Sequence, residues 1–323
     1  MRRIGVLTSG GDSPGYNACI RAVVRMAIAY GWEPWGVRNG FEGLLNGDMQ
    51  AMNSRSVSNI IGRGGTILGS SRSEAFPAPR GQREALRHLN EAGLDALVVI
   101  GGDGSMRGAL ALASQGFPTV GIPGTIENDV CGTDLAVGVD TAMNTGLDAL
   151  DRIRDTASSQ EQAFLVEVMG KQSGYLPLMM GIAGGAEMVC IPEVPYTVED
   201  VSREVADAYV RGKRHCIIVV GEGASPGVVE IAERLRADRL HTGFGVRVSA
   251  LGHIQRGGSP SAQDRLLATQ LGAAAVEQLH AGQSGVMVGV LAGVVKPTAL
   301  EEVTAAVRRV DEEYLELAHI LAR

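Results

Sequence analysis

The sequence predicts a doubly wound α/β fold, in which helices cover mainly parallel sheets. Short apolar runs alternate along the chain with longer helical stretches, and this alternation gives βαβ units. Runs such as residues 96–100 (Ala-Leu-Val-Val-Ile) are apolar throughout, as expected of a parallel strand covered on both faces. Glycine-rich turns follow several of these runs, where α/β folds bind their ligands.

The N-terminal segment shows how the elements are assigned. Residues 1–12 (MRRIGVLTSGGD) carry two arginines before a short apolar run, which predicts a first strand rather than a signal peptide. By the same criterion of short apolar runs, the predicted strands are Ile4–Thr8, Trp32–Val37, Ala96–Ile100, Thr119–Ile122, Ala163–Val168, Met188–Ile191, His215–Val220, Arg247–Leu251 and Val286–Val290. The longer stretches are predicted helices: Gly15–Tyr30, Arg80–Ala92, Ser105–Gln115, Thr141–Thr156, Gly174–Ala183, Thr197–Arg211, Val228–Ala237, Ser261–Leu279 and Glu301–Ala322.

Length and composition limit the possible classes of protein. A chain of 323 residues with 45% hydrophobic and 20% charged residues predicts two domains with a large core, and it excludes global disorder. The 44 glycines are about twice the usual share of roughly 7%, but they show no collagen-like period. A net charge of −7 and only 4% aromatic residues argue against nucleic acid as a partner.

The cysteines and the hydropathy pattern indicate the compartment. The four cysteines are scattered without a CxxC pair, which predicts buried free thiols in a reducing environment. No apolar run approaches the ~18–20 residues that a membrane helix needs. We therefore expect a soluble, cytoplasmic protein without a membrane partner.

Glycine-rich turns follow four of the predicted strands, at residues 10–12, 101–105, 124–125 and 221–223. One such turn is an ordinary connection between a strand and a helix, but four such turns after four strands indicate a site assembled from several strand ends. In 101–105 (Gly-Gly-Asp-Gly-Ser), the glycines let backbone amides approach an anion, and Asp103 suits Mg²⁺ on phosphate oxygens. The alternative is a tight turn with Asp103 as a helix cap. No Walker GxxxxGK[ST] and no GxGxxG sequence occurs.

Two further segments carry candidate chemistry. In 123–129 (PGTIEND) two carboxylates flank an asparagine, so that one could act as a general base and the other could orient metal or substrate. An acidic loop that caps the next helix is the alternative there. In 252–260 (GHIQRGGSP), His253 and Arg256, with Arg247 close by, suit an anionic substrate group, although a lone histidine is often structural.

Taken together, these segments resemble the bacterial ATP-dependent 6-phosphofructokinase family along nearly the whole chain. The matching motifs are LTSGGDSPGYN (7–17), RGGTILGSSR (63–72), VVIGGDGS (98–105), PGTIEND (123–129), GTD (132–134), VEVMGK (166–171), IAGGAE (182–187) and LGHIQRGGSP (251–260). Their order and spacing fit the family without large gaps.

The resemblance implies an architecture and an assembly. It implies two Rossmann-like three-layer αβα domains with mainly parallel sheets and the active site in the cleft between them. A larger nucleotide-binding domain would comprise 1–138 and 255–305, and a smaller sugar-phosphate-binding domain 139–254 and 306–323. The family is usually a homotetramer whose active sites are shared between subunits.

The resemblance also implies a reaction: ATP and fructose 6-phosphate give ADP and fructose 1,6-bisphosphate, a step of glycolysis, with Mg²⁺ as cofactor. Asp103 would hold the metal ion. The implied catalytic residues are Thr125, Glu127, Asp129, Lys171 and Arg72. The implied nucleotide-binding residues are Gly11, Arg72, Ser73, Gly102, Asp103, Gly104 and Ser105. The implied sugar-phosphate-binding residues are Thr125, Glu127, Gln162, Met169, Gly170, Lys171, Glu222, Arg247, His253 and Arg256, with Arg247 lent by a neighbouring subunit.

Positions that vary within the family bear on donor and acceptor. Members that use pyrophosphate carry Asp and Lys where this chain has Gly104 and Gly124, which favours ATP here. Three positions depart from the family's usual residues: Glu127 for Asp, Gln162 for Arg, and Lys171 for Arg. They leave open an ordinary glycolytic kinase, a divergent paralogue for another sugar phosphate such as sedoheptulose 7-phosphate or tagatose 6-phosphate, and a catalytically weakened regulatory member.

An effector site is implied by the same resemblance. Bacterial members bind ADP, GDP or phosphoenolpyruvate between subunits, and the matching residues are Arg21, Arg25, Arg154, Glu187, Arg211 and Lys213, with Arg55 as a further candidate beside position 54. Arg21 and Arg25 are four residues apart and share one helix face. The alternative is a set of solvated surface charges. Position 54, usually Arg, is Ser54.

Overall fold

The computed structural model describes residues 2–237 and 242–321. In chain order the strands are β1 (Arg3–Thr8), β2 (Glu33–Val37), β3 (Met49–Ala51), β4 (Ala96–Gly101), β5 (Thr119–Pro123), β6 (Gln162–Val168), β7 (Met188–Cys190), β8 (Cys216–Gly221), β9 (Gly245–Ala250), β10 (Val286–Leu291) and β11 (Val294–Ala299). The helices are α1 (Tyr16–Ala29), α2 (Gly40–Leu45), α3 (Pro79–Glu91), α4 (Asp103–Ala113), α5 (Val139–Gln160), α6 (Tyr175–Gly184), α7 (Val198–Val210), α8 (Val228–Ala237), α9 (Ala262–His280), α10 (Leu300–Ala305) and α11 (Glu312–Leu321). A 3₁₀ helix spans Gly252–Arg256.

The chain forms two compact units. The first comprises Met1–Ile126, Val130–Thr141 and Arg256–Val307, and the second comprises Glu127–Asp129, Ala142–Gln255 and Arg308–Arg323. The predicted boundaries fell at 138, 254 and 305, and they kept residues 127–129 in the larger domain. In the structure this short segment belongs to the second unit, because Ser173 and Arg308 of that unit donate hydrogen bonds to its backbone carbonyls.

Each unit is built on one sheet. The first unit has seven strands in the order β11-β10-β5-β4-β1-β2-β3, and its pairs are parallel except β10–β11 and β2–β3. The second unit has four parallel strands in the order β7-β8-β6-β9. Within the described residues the α/β class with mainly parallel sheets is therefore confirmed, and no helix is long and apolar enough to cross a membrane.

The core of the first unit explains why β4 is apolar at every position. Alternate residues of β4 enter different clusters of buried side chains. Val98 and Ile100 pack with residues of α1 and α9, whereas Leu97 and Val99 pack with residues of α3 and α4. Since successive side chains of a strand point to opposite faces, helices cover both faces of this sheet.

The predicted helix Glu301–Ala322 is wrong as a single element. The structure has α10 and α11 with non-helical residues between them, and Ala322 lies outside the described residues. The backbone leaves the helix at Ala306, where φ is −141° and ψ is 161°. Two tertiary hydrogen bonds hold the break: Cys131 Sγ lies 3.4 Å from the Ala306 carbonyl oxygen, and the Arg308 amide donates to the Asp129 carbonyl. The short elements β3, β11 and α2 were not predicted.

Candidate active site

The glycine-rich turn between β4 and α4 forms the start of a helix. Gly102 is the N-cap of α4, without a side-chain cap, and Asp103 is the first helical residue. The alternative that Asp103 caps the helix is therefore wrong. The first amides of a helix lack intrahelical acceptors and favour a nearby anion. Ser105 is buried behind the turn, at 4% exposure.

The Asp103 carboxylate forms an ion pair with Arg107 of the same helix. The Arg107 guanidinium donates to both of its oxygens, with Nε to Oδ2 at 2.9 Å and Nη2 to Oδ1 at 3.3 Å. No heavy atom lies within 4 Å of a Cβ built on Gly104, so there is open space beside this pair. The carboxylate oxygens of Asp103 are hard donors that already pair with the positive charge of Arg107, and they fit the Mg²⁺ that the resemblance implies. Residues 2–237 and 242–321 contain no group of three or more His, Cys, Asp or Glu that could hold a metal ion.

The turn between β1 and α1 is covered by an arginine. A Cβ on Gly11 would lie 2.4 Å from Nη1 of Arg256, and this nitrogen donates to the Asp12 carbonyl at 3.3 Å. The structure thus brings Arg256, which the resemblance assigned to the sugar phosphate, against the loop that it assigned to the nucleotide. The amide of Gly10 donates to the carbonyl of Ser71, which places the next two residues, Arg72 and Ser73, beside the same loop.

Arg72 is exposed, and Ser73 donates to Glu42 at 2.7 Å. Thr125 follows β5 and lies beside the glycine-rich turn, since a Cβ on Gly102 would be 3.6 Å from the Thr125 Cβ. The amide of Thr125 donates to the Val137 carbonyl at 3.2 Å. The first unit therefore gathers three of the four predicted glycine-rich turns, those after β1, β4 and β5, whereas the fourth, at residues 221–223, belongs to the second unit.

The candidate base belongs to the second unit. The carboxylate of Glu127 accepts a hydrogen bond from the Lys171 amide at 3.3 Å, and its carbonyl accepts one from Ser173 Oγ at 2.9 Å. Asn128 is buried, and its φ of 50° lies in the left-handed region that asparagine tolerates. Asp129 binds the segment after α10 through its carbonyl. Neighbouring backbone and side-chain donors therefore fix this loop.

The turn after β6 carries Lys171 towards a second carboxylate. Nζ of Lys171 lies 3.5 Å from Oε1 of Glu222. The turn packs tightly on the loop after β8, because a Cβ on Gly223 would lie 1.9 Å from the Lys171 carbonyl oxygen. Gly170 has a φ of 141°, which suits glycine alone. Glu127, Lys171 and Glu222 are thus brought together in the second unit.

Sequence reasoning missed two side chains beside this turn. Gln255 is fully buried, accepts a hydrogen bond from the Met169 amide at 3.0 Å, and so fixes the backbone of the turn. Glu167 lies on β6, and burial together with the nearby Glu222 carboxylate raises its pKa. Both residues were within quoted motifs, but a motif does not tell which of its side chains point inward.

Gln162 lies far from the turn within one chain. It begins β6, whereas Met169 follows the other end of that strand, so about 20 Å of extended chain separates them. Its side chain covers Gly245, whose Cβ would lie 2.9 Å from the Gln162 Nε2. Arg247 is exposed on the edge strand β9, opposite Phe164. His253 is exposed on the 3₁₀ helix.

The candidate effector residues fall into two groups. In the second unit, Glu187 is buried, binds Lys213 Nζ at 3.1 Å and accepts from the Ile217 amide at 2.6 Å. Arg154 pairs with Asp151, and Arg211 with Glu204, both at 2.8 Å. In the first unit, Arg21 is half-buried on α1, whereas Arg25 and Arg55 are exposed. Each unit therefore holds a part of the predicted set.

Known proteins match the chain over its whole length. Residues 3–279 match the family described as phosphofructokinase. The chain is 51% identical over 323 residues to ATP-dependent 6-phosphofructokinase 1 of Thermus thermophilus, covering all of both chains. It is 48% identical over 322 residues to ATP-dependent 6-phosphofructokinase of Natranaerobius thermophilus, again covering all of both.

Solved structures agree with these matches. Phosphofructokinase of Pichia pastoris superposes with a TM-score of 0.88 at 34% identity, over 94% of this chain. This chain spans only 35% of the length of that protein. A pyrophosphate-dependent phosphofructokinase of Marinobacter aquaeolei shares the fold, with a TM-score of 0.84 at 22% identity over 97% of this chain and 86% of the other. The chain belongs to the phosphofructokinase family.

Proposed function

We propose that this protein is an ATP-dependent 6-phosphofructokinase, an enzyme that transfers the γ-phosphoryl group of ATP to the 1-hydroxyl of fructose 6-phosphate. The observation that carries the proposal is the full-length similarity, at 51% identity, to a relative of that name. The relatives give no support to a paralogue with another acceptor or to a non-catalytic regulatory member.

The first unit supplies the nucleotide-binding groups in this proposal. Gly11, Arg72, Ser73 and residues 102–105 would bind the ATP phosphates through backbone amides and the guanidinium. Asp103 would hold Mg²⁺ once its carboxylate exchanges Arg107 for the ion. Bound there, Mg²⁺ would neutralise charge on the phosphate oxygens.

The second unit supplies the acceptor groups. Glu127 takes the proton of the sugar hydroxyl, whose oxygen attacks the γ-phosphorus while the bond to the ADP oxygen breaks. The Lys171 amide orients this carboxylate. The Lys171 ammonium stabilises the transferring group, and Glu222 binds a sugar hydroxyl. Thr125 of the first unit and Asp129 position the sugar, and Met169, Gly170, Gln162, Arg247, His253 and Arg256 complete the sugar-phosphate set.

The two family positions that report the donor support ATP. The space beside Gly104 is open, which suits a ligand larger than pyrophosphate. Gly124 is covered by the ring of Tyr16, whose Cε1 would lie 2.4 Å from an added Cβ, so the lysine of pyrophosphate users does not fit there without a rearrangement.

The assembly and its control form part of the proposal. We propose a cytoplasmic homotetramer in which Gln162 and Arg247 serve the acceptor site of a neighbouring subunit, since both lie remote from Lys171 within their own chain. Arg21, Arg25, Arg55, Arg154, Glu187, Arg211 and Lys213 would bind an ADP, GDP or phosphoenolpyruvate effector.

A coupled assay of ADP release with ATP, Mg²⁺ and a panel of sugar phosphates tests the function. The expected result is strong turnover with fructose 6-phosphate and weak turnover with tagatose 6-phosphate and sedoheptulose 7-phosphate. Faster turnover with another acceptor would reassign the substrate. Nucleotide binding without turnover on any acceptor would contradict the enzymatic proposal.

A further inference from the structure

Tyr16, the first residue of α1, joins two loops of the candidate site. Its side chain is fully buried, and its hydroxyl lies 2.7 Å from the carbonyl oxygen of Gly124 and 3.1 Å from that of Gly11. Both carbonyls are acceptors and the phenol has one proton, so this proton is shared between them, with the shorter contact to Gly124. One hydroxyl therefore bridges the loop after β1 and the loop after β5.

The ring of the same residue lies directly on Gly124. A Cβ added to this glycine would lie 2.4 Å from Cε1, 3.1 Å from Cζ and 3.2 Å from the hydroxyl oxygen of Tyr16. Because real Cβ contacts are not that short, any larger residue at 124 must displace the ring, and with it the shared proton. The contact explains why position 124 requires glycine in this chain.

A third loop is tied to the same point. The amide of Gly124 donates to the Gly101 carbonyl at 2.9 Å, at the end of β4 just before the turn that carries Asp103. Gly124 is thus held by β4 through its amide and by Tyr16 through its carbonyl. Because Thr125 follows Gly124 directly in the chain, the same contacts restrict where its backbone lies.

We propose that Tyr16 is a positioning residue for phosphoryl transfer. Its hydroxyl fixes the spacing between the nucleotide loop at Gly11 and the acceptor-positioning loop at Gly124 and Thr125, and its ring restricts position 124 to glycine. The inference rests on the proposed function, because it needs these loops to act on one transfer. Misplacement of reacting groups by about 1 Å can cost about a hundredfold in rate, so the loss of a single bridging hydroxyl should lower kcat measurably.

Tyr16→Phe tests the hydroxyl, because it keeps the ring and removes only the shared proton. The matched control is Tyr196→Phe, which removes a half-buried hydroxyl that donates to the carbonyl of Pro226 in the second unit. We expect kcat of Tyr16→Phe to fall about tenfold, the order of one lost hydrogen bond. KM for both substrates should change by less than about twofold, and the ratio of ADP released to sugar phosphorylated should rise above one. Both variants should lose thermal stability to a similar extent, but kcat of Tyr196→Phe should be unchanged.

Gly124→Ala tests the ring. The added methyl must displace the Tyr16 ring from its present position, and we expect kcat to fall by about a hundredfold. Combining it with Tyr16→Leu, which vacates the space, should restore kcat to the level of Tyr16→Leu alone. Losses that simply multiply in the double variant would overturn the assigned contact.

The outcomes separate this inference from the function beneath it. Wild-type protein that is silent in the same assay would remove the proposed function and this inference with it. Active wild-type protein with Tyr16→Phe indistinguishable from Tyr196→Phe in kcat and in the product ratio would overturn the role of Tyr16 alone.

Discussion

The carboxylate of Glu127 accepts a hydrogen bond from the backbone amide of Lys171, at 3.3 Å. The same Lys171 extends its ammonium to within 3.5 Å of Glu222. A glutamate is one methylene longer than the aspartate usual at this position in the family, and the amide holds the extra length in one orientation. Residues 127 and 171, which both depart from the family pattern, are therefore neighbours, and the contact between them uses a backbone amide that any residue except proline at 171 would supply.

Glu127→Gln should lower kcat by about 10²–10⁴-fold, because the amide keeps the shape of the side chain but cannot take a proton. KM for fructose 6-phosphate should change little. The measurement is steady-state ADP release, and a kcat within about threefold of wild type would rule out Glu127 as the base.

Glu127→Asp is the control for this experiment. It keeps a carboxylate but shortens it away from the Lys171 amide, so we expect kcat to stay within about tenfold of wild type. A loss as large as that of Glu127→Gln would mean that the contact with Lys171, rather than proton transfer, dominates.

Lys171→Met should lower kcat/KM by roughly 10²-fold or more, because it removes a positive charge from the transferring phosphoryl group. Stability should hardly change, since the pair with Glu222 is 66% and 34% exposed and such pairs contribute little. Lys171→Arg, which keeps the charge, is the matched variant and should retain activity. A lower melting temperature with unchanged kcat/KM would assign Lys171 a structural role instead.

Arg107→Met should lower the Mg²⁺ concentration that half-saturates the ADP-bound protein. The guanidinium competes for both oxygens of Asp103, but its own side chain is 53% exposed, so the expected change is only about twofold and smaller at high salt. Asp103→Asn should raise the same concentration by considerably more. Calorimetric titration of Mg²⁺ measures both, and an unaltered Mg²⁺ affinity in both variants would contradict the metal assignment.

Asp264 predicts a pH dependence of stability. Its buried carboxylate accepts hydrogen bonds from the amides of Gly138 and Thr141, both at 2.8 Å, and burial raises its pKa above 3.8 despite these bonds. The folded state then binds more protons than the unfolded state between 3.8 and the raised pKa. Its contribution is therefore largest below this window and is lost as the pH rises through it.

Asp264→Asn removes that titration. The free energy of unfolding of wild type minus that of Asp264→Asn should fall as the pH rises from below about 4 and become constant once the pH is above the raised pKa. Urea unfolding of both proteins at a series of pH values measures the difference. A difference that grows with pH would mean that hydrogen bonding outweighs burial at this carboxylate.

Cys131 should be the one thiol that reacts readily with a disulfide reagent in native protein. All four cysteines are thiols, as predicted, but Cys131 is only half-buried, whereas Cys19, Cys190 and Cys216 are buried, and burial raises the pKa of Cys190 to about 12. Thiols without thiolate character react slowly. In native protein one thiol should therefore react quickly with the reagent, and in denatured protein all four should react. The fast-reacting thiol should be missing from Cys131→Ser. A second fast thiol in Cys131→Ser would show that the core opens.

The predictions about the candidate site rest on signals that are local in the sequence. The apolar run that forms β4 and the glycines after it lie within ten residues, and they indicate a buried strand followed by an anion-binding turn. The carboxylates around Asn128 are equally local. Such patterns depend on backbone freedom and side-chain type, which the sequence states directly.

Contacts between distant residues could not be predicted in the same way. Tyr16 and Gly124 are 108 positions apart, and nothing at either position reveals the other. Arg256 lies against Gly11 instead of standing apart from the nucleotide loop. The last predicted helix breaks because the Arg308 amide binds the carbonyl of Asp129.

The sequence by itself determined the α/β class, nine of the eleven strands in their order along the chain and the glycine loops, since short-range periodicity and turn chemistry suffice for these features. Only the tertiary structure decided which loops share a hydroxyl, which carboxylate meets which amide, and to which unit Glu127 belongs. These features depend on close packing between residues far apart in the chain, where a single Cβ is enough to decide the fit.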